Sequence, residues 1–203
     1  MPAVYKPRNR DMAGLRDGVP SDSYGMREWL AGQIDRALQI DVIPTTVVRD
    51  GPDGFGSVQD WKVGKMAVTV DWKKEGDLKG LRDTAFDDVV KGNTDRHDGN
   101  FLIGPDGQVH AIDHGLILDS SSDSQLRSYP LEVFSGQGVP DDVLKRIADF
   151  RAAPEVQDML KKAFTVALGA EAGPAWQQFL NGVEQLSPPD NEKAGTFPYP
   201  AWH

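Results

Sequence analysis

The spacing of hydrophobic residues along the chain predicts several amphipathic helices. In residues 25–38 apolar side chains recur every three or four positions, which is typical of one helix face, and Ser23 precedes them as a candidate cap. A second run with this spacing ends at Val90, and Gly92 follows it as a helix-terminating residue. The same spacing predicts helices over residues 141–150, 154–168 and 175–186.

Short β-rich runs lie between these helices. Residues 3–6 form a strand candidate that Pro7 stops. Residues 45–49 and 55–61 flank the turn sequence Asp50-Gly51-Pro52-Asp53-Gly54 and predict a hairpin. A second hairpin is predicted where residues 101–103 and 109–112 flank Gly104-Pro105-Asp106-Gly107.

The order of these elements predicts an α+β fold with two lobes. Residues 1–62 are expected to form a small lobe, with a short antiparallel sheet and one helix. Residues 63–186 are expected to form a mainly helical lobe, followed by an irregular tail over residues 187–203.

Composition narrows the class of protein. The chain has 203 residues, a formal net charge of −9 and no cysteine. The negative charge and the lack of a long basic run argue against nucleic acid as the main partner. No apolar run reaches the ~20 residues of a membrane span, and the N-terminus lacks the apolar core of a signal peptide. A cytoplasmic location is therefore the expectation.

One stretch of the chain concentrates residues able to do chemistry. Residues 91–116 read KGNTDRHDGNFLIGPDGQVHAIDHGL and hold three of the four histidines. If Ile103 pairs with Gln108 across a four-residue turn, Asn100 lies opposite Ala111. Asn100 and Asp113 are then diagonal neighbours ~7–8 Å apart, and both can reach one hard cation such as Mg²⁺.

The loop before this hairpin carries two further candidates. Asp95 and His97 would lie beside the same point, where either could act as a general base or stabilise charge on a metal-bound phosphate. A solvated loop whose carboxylates only cap backbone amides remains an alternative interpretation of these residues.

The motifs in this stretch resemble a known superfamily. Asp95-Arg96-His97-Asp98-Gly99-Asn100 is similar to the D-R-H-x-x-N catalytic loop of phosphatidylinositol 3-/4-kinase-like enzymes. Ile112-Asp113-His114-Gly115 stands where those kinases have their metal-binding D-x-G motif, with histidine in place of the common phenylalanine. The VYKP, RE, VIPT, RDGP, GSVQ and IDHG blocks, in this order, resemble a small family of actinobacterial proteins related to these kinases. A bacterial or phage source is expected.

The resemblance implies a two-lobed kinase-like fold and phosphoryl transfer from ATP with Mg²⁺. It implies that Lys6 holds a phosphate and that Glu28 orients Lys6. It implies that Asp95 and His97 are catalytic, and that Asn100 and Asp113 bind the metal. The adenine contacts would come from Val58, Gln59, Asp60 and Trp61.

One departure from the superfamily concerns the start of the chain. In those kinases two strands and a phosphate-covering loop precede the lysine strand, whereas Lys6 lies near the start here. We therefore expect a truncated small lobe, open phosphates and weak ATP affinity, roughly micromolar to millimolar. A partner chain could complete the cleft. The glycine-rich residues 51–56 lie between two strand candidates, so a hairpin turn is the favoured interpretation.

The sequence leaves three functions to compare. The leading one is an ATP- and Mg²⁺-dependent kinase that acts on a protein or small-molecule hydroxyl. The alternative is a weak or inactive kinase-fold module for binding or assembly. A metal-dependent hydrolase that uses Asp95, His97, Asp113 and His114 as ligands explains neither Lys6 nor Glu28.

Overall fold

The computed structural model describes residues 2–8, 19–20, 22–74, 78–121, 124–188 and 195–201. The fold is α+β, with two small antiparallel sheets and a body of helices. The strands are β1 (Ala3–Pro7), β2 (Thr46–Gly51), β3 (Gly54–Asp60), β4 (Lys65–Met66), β5 (Phe101–Ile103) and β6 (Val109–Ala111). The helices are α1 (Tyr24–Ala37), α2 (Leu81–Lys91), α3 (Tyr129–Phe134), α4 (Asp141–Arg151), α5 (Pro154–Leu168) and α6 (Ala172–Leu186).

The first sheet carries Lys6 on its edge strand β1. Its strand order is β1-β3-β2, and Lys6 pairs with Ser57 on the central strand. The β2–β3 connection is a tight hairpin in which Gly51 pairs with Gly54, so the hairpin interpretation of the glycine-rich residues is confirmed. A Cβ on Gly56 would lie 2.3 Å from the carbonyl oxygen of Lys6, so only glycine allows β1 to approach β3 here.

The second sheet, in the order β4-β5-β6, contains the predicted second hairpin. Its register differs from the prediction by one residue, because Ile103 pairs with Val109 rather than with Gln108. The backbone N–H of Gly104 donates to the carbonyl oxygen of Gln108 (2.8 Å), which leaves a three-residue loop. Gly107 has a positive φ of 78°, the left-handed conformation that closes three-residue hairpins.

One consequence of this register is that Asn100 faces Ile112 instead of Ala111. The carbonyl oxygen of Asn100 accepts from the N–H of Ile112 at 3.0 Å. Asp113 is then the next residue along the chain, and it leaves the strand with a positive φ of 58°. The predicted same-face placement of Asn100 and Asp113 in a regular ladder is therefore wrong. The backbone turn at Asp113 determines where the Asp113 side chain points instead.

The main hydrophobic core joins α1 to the helical body. Leu30 and Ile34 of α1 are fully buried in the same cluster as Phe164 of α5 and Phe179 of α6. A smaller cluster beneath the second sheet contains Phe101, whose ring meets that of Trp72 edge-on at 5.3 Å. The helix that follows β1 in sequence thus packs against a helix more than a hundred residues away.

Most predicted elements form within a few residues of their expected bounds, with three differences. Ser23 precedes α1 but makes no side-chain cap; its hydroxyl donates to the carbonyl oxygen of Pro20 (2.7 Å). β4 and α3 were not predicted. Residues 195–201 of the tail form a bridge in which Thr196 pairs with Gly138, while residues 189–194 and 202–203 lie outside the described part. No helix in the described residues is both long and apolar enough to cross a bilayer.

Candidate functional site

Three predicted residues from distant parts of the chain meet at the Lys6 ammonium. Lys6 Nζ lies 2.6 Å from Glu28 Oε1 and 3.0 Å from Asp113 Oδ1. Lys6 comes from β1, Glu28 from the first turns of α1, and Asp113 from the residues after β6. The ion pair between Lys6 and Glu28 that the resemblance implies is present in the structure.

The environment of Lys6 keeps its amine charged. Burial lowers the pKa of Lys6, but the carboxylates of Glu28 and Asp113 outweigh burial and raise that pKa above its ordinary value. Asp113 is 56% exposed and Lys6 is 36% exposed, so this end of the site is open to a ligand, whereas Glu28 is buried. The result is a partly exposed cation held by two carboxylates, which suits a bound phosphate.

The catalytic-loop residues form a second group. Asn100 donates from Nδ2 to the backbone carbonyl oxygen of Asp95 (2.8 Å). The N–H of Asp95 donates to Asn93 Oδ1 (2.9 Å), so the loop is fixed on both sides of Asp95. His97 is exposed, and its Nδ1 accepts from the N–H of Gly99 at 2.9 Å. That bond leaves Nε2 of His97 as the nitrogen that can face a ligand.

A buried arginine connects the two groups. Arg96, which the sequence analysis noted only as part of the motif, is fully buried and donates from Nη1 to the carbonyl oxygens of Asn100 (2.6 Å) and Ile112. Its Nε lies 3.1 Å from Asp88 Oδ1 on α2. Because Ile112 directly precedes Asp113, this one guanidinium fixes the loop, the hairpin and α2 together.

Behind Lys6 lies a buried polar cluster that the sequence analysis did not predict. His114 is fully buried between Glu28 of α1 and Asp87 of α2, and its pKa is lowered well below the ordinary value by burial and by the charges of Arg96 and Lys91. Burial also raises the pKa of Asp87 to about 7, although its contact with the Lys91 ammonium opposes that shift.

The buried carboxylates on α2 leave a signal in the sequence. Asp88 lies seven residues after Leu81, on the apolar face of its helix, and it is fully buried. A charged residue on an apolar helix face needs a buried partner, so this position predicts an ion pair without identifying the partner. The position of His114 between two carboxylates has no such signal.

Two residues at the end of the hairpin carry oxygen donors of the kind that divalent cations take. Asn100 Nδ2 donates to the carbonyl oxygen of Asp95, so the side-chain oxygen Oδ1 is the group of Asn100 that remains available. Asp113 presents an exposed carboxylate. Two hard oxygen donors suit Mg²⁺, which keeps waters and takes phosphate oxygens as its remaining ligands. Within the described residues no three histidine, cysteine or acidic side chains gather as a metal-binding group.

The predicted adenine segment lies at the end of β3, where its backbone is largely paired. The N–H of Asp60 donates to Thr45 (2.9 Å) and that of Trp61 to Pro2 (3.2 Å), while Val58 and Gln59 pair within the sheet. The Trp61 side chain is 58% exposed. A surface cavity of about 390 Å³, lined by residues of β4, β5 and their neighbours, includes none of these four residues.

A lysine paired with a helix carboxylate, together with an Asp-Arg-His loop and a hairpin Asp, is the arrangement that the resemblance to the kinases implies. The comparisons with known proteins agree with this class. Residues 85–162 match the family model for phosphatidylinositol 3- and 4-kinase, which confirms the resemblance seen in the motifs. The matched range contains residues 95–100 and Asp113, but it does not include Lys6 or Glu28.

A curated relative extends the similarity beyond that range. The chain is 27% identical over 207 residues to Protein Rv2133c of Mycobacterium tuberculosis (strain ATCC 25618 / H37Rv). The alignment covers 82% of this chain and 72% of that protein. This similarity is consistent with a small bacterial family related to the kinases.

Proposed function

We propose that the chain is a phosphotransferase that uses ATP and Mg²⁺ to phosphorylate a hydroxyl of a protein or small molecule. The observation that carries this proposal is the meeting of Lys6, Glu28 and Asp113, which brings three sequence-distant charged groups to one open point. A structural ion pair has no need of a second, exposed carboxylate. A cation poised between two carboxylates can instead exchange one of them for a phosphate.

Each residue has a role that follows from its contacts. Lys6 neutralises a phosphate oxygen, and Glu28 fixes the direction of the ammonium. Asn100 and Asp113 hold Mg²⁺, which when bound offsets charge on the transferred phosphoryl group. We propose adenine contacts on residues 61–64 rather than on β3 itself, because these residues follow the paired strand and form no regular element.

The transfer step requires a base at the acceptor. The acceptor oxygen attacks the γ-phosphorus, the bond from that phosphorus to the bridging oxygen breaks, and ADP leaves. The hydroxyl proton passes to the Asp95 carboxylate, and the main chain of Asp95 is held in place by Asn93 and Asn100. His97, with Nε2 facing outward, stabilises the developing negative charge.

The experiment that tests this function follows γ-labelled ATP with Mg²⁺. Label transferred to the protein or to an added acceptor supports a phosphotransferase, whereas label released only to water shows ATP hydrolysis without transfer to an acceptor. Nucleotide binding without any transfer supports the binding-module alternative, and the absence of nucleotide binding rejects the kinase and favours that module.

Nucleotide binding is expected to require the metal. Chelation and Asp113→Asn should each weaken ATP affinity by about tenfold or more, since a charge-assisted contact contributes ~1.5–3 kcal/mol. Asparagine tolerates the positive φ of residue 113, so this variant removes the charge without straining the backbone. Isothermal titration calorimetry measures the change.

The matched control for this prediction is His110→Ala on β6 of the same hairpin. His110 is half-buried and makes no contact with Lys6 or Asp113 among the contacts described above, so ATP affinity should be unchanged. Equal ATP affinity with and without Mg²⁺ in the wild-type protein would contradict the hairpin metal site.

A further inference from the structure

His114 lies at the contact between Glu28 and the helical body. Its backbone N–H donates to Glu28 Oε1 at 2.7 Å, the same oxygen that contacts Lys6. Its ring Nδ1 lies 3.4 Å from Glu28 Oε2, and its Nε2 lies 3.8 Å from Asp87 Oδ2. One histidine therefore faces both oxygens of the carboxylate that orients Lys6.

The ring atoms face oxygens that need a partner. Glu28 Oε2, Asp87 Oδ2 and both ring nitrogens of His114 are buried and form no hydrogen bond of normal geometry within the described residues. Leaving such atoms unpaired is costly, and these four face one another. The distance of 3.4 Å from Nδ1 to Glu28 Oε2 is the shorter of the two contacts of the ring with these carboxylates.

We infer that His114 is a positioning residue, whose Nδ1–H holds Glu28 Oε2 and thereby fixes the carboxylate that directs Lys6. This inference rests on the proposed function for the role of Lys6, but the contact itself does not depend on that function. A neutral imidazole carries one N–H, and the shorter of the two distances assigns it to Nδ1.

The buried position explains why the contact controls direction. Glu28 Oε1 is shared by Lys6 and the backbone of His114, so rotation of the carboxylate about its axis breaks both contacts. Without a partner on Oε2 nothing opposes that rotation from the other side. The direction of Lys6 would then depend more on Asp113, which is the exposed partner.

Three variants separate hydrogen bonding from packing. His114→Phe fills a similar volume but cannot donate. His114→Asn places a donor near the position of Nδ1, since both nitrogens are two bonds from Cβ. His114→Gln reaches instead toward the position of Nε2 and Asp87.

The contact is tested without ATP by a double-mutant cycle. Unfolding midpoints are measured for His114→Phe, Glu28→Gln and the double variant. We expect non-additivity of roughly fivefold in the unfolding equilibrium constant, the size of one net hydrogen bond. Additive effects would show that the ring does not hold Glu28 and would overturn the inference.

The positioning role is tested by rescue of turnover. We expect kcat to fall about tenfold in His114→Phe and His114→Gln and to be largely restored in His114→Asn at matched stability. Equal kcat for the Phe and Asn variants would show that His114 acts only by packing and not by donating a hydrogen bond. If His114→Phe does not fold, the Asn and Gln variants make the same comparison. If the wild-type protein binds no nucleotide, the proposed function fails, and the cycle still decides whether His114 holds Glu28.

Discussion

Asp95→Asn is expected to lower turnover by ~10²–10⁴-fold while ATP affinity stays nearly constant. The amide keeps the shape of the carboxylate but cannot accept the proton of an acceptor hydroxyl. The shorter bonds of residue 95 to Asn93 and Asn100 involve its main-chain atoms, and the side-chain contact of Oδ2 with Asn100 Nδ2 (3.5 Å) can be kept by the amide oxygen of asparagine, so the loop keeps its conformation. The measurement pairs the initial rate of γ-phosphate transfer or release with ATP affinity from calorimetry.

The control for this variant is Asp98→Asn in the same loop. It removes the same charge three residues away, and the contact described for Asp98 is made by its backbone oxygen, which accepts from Val68 at 2.8 Å. Turnover should remain near the wild-type value. If Asp95→Asn were as active as Asp98→Asn, Asp95 could not be the base.

Asp88→Asn is expected to lower the free energy of unfolding by ~3–5 kcal/mol. Asp88 is fully buried, and its carboxylate accepts from Arg96 Nε (3.1 Å), Asn93 Nδ2 (2.9 Å) and Ser128 Oγ (2.7 Å). Neutralising it leaves the buried guanidinium of Arg96 without a counter-charge. Equilibrium denaturation, monitored by tryptophan fluorescence and circular dichroism, measures the loss.

Asp83→Asn provides the matched control, with the same substitution on the same helix. Asp83 lies 2.8 Å from Arg146 but is 30% exposed, so solvent screens the pair and the expected cost is within about 1 kcal/mol. A loss for Asp88→Asn as small as that for Asp83→Asn would mean that the buried pair does not stabilise the fold.

The long helices were predictable because their apolar positions repeat over several turns. The pattern in residues 25–38 gave α1 to within one residue at each end, and Gly92 ends α2 with a positive φ of 54°. β4 contains only Lys65 and Met66, which is too short for a pattern. α3 is under two turns long, although Ser128 caps it by accepting from the N–H of Leu131 (3.1 Å).

The identity of the site residues was more predictable than their geometry. The ordered motifs implied the pairing of Lys6 with Glu28, which the structure shows, but not the contact of Lys6 with Asp113. The register of the hairpin depended on the conformation of Gly107, which the Gly-Pro-Asp-Gly sequence does not determine. The backbone N–H groups of Asp60 and Trp61 donate hydrogen bonds to Thr45 and Pro2. The sequence does not predict these bonds, because only the folded sheet brings the partners close.

The contacts of α1 have a consequence for how the chain can be divided or recombined. Arg27 of α1 is fully buried and donates to the carbonyl oxygens of Ile117 (2.6 Å) and Leu118 (2.9 Å), and its neighbour Glu28 binds Lys6. α1 also packs on α5. A chimera that exchanges residues 1–62 between relatives would therefore set a foreign α1 against the native α5. Because α1 also packs on β2 and β3 and pairs with Lys6 of β1, it has to be inherited together with both the small sheet and the helices that it contacts.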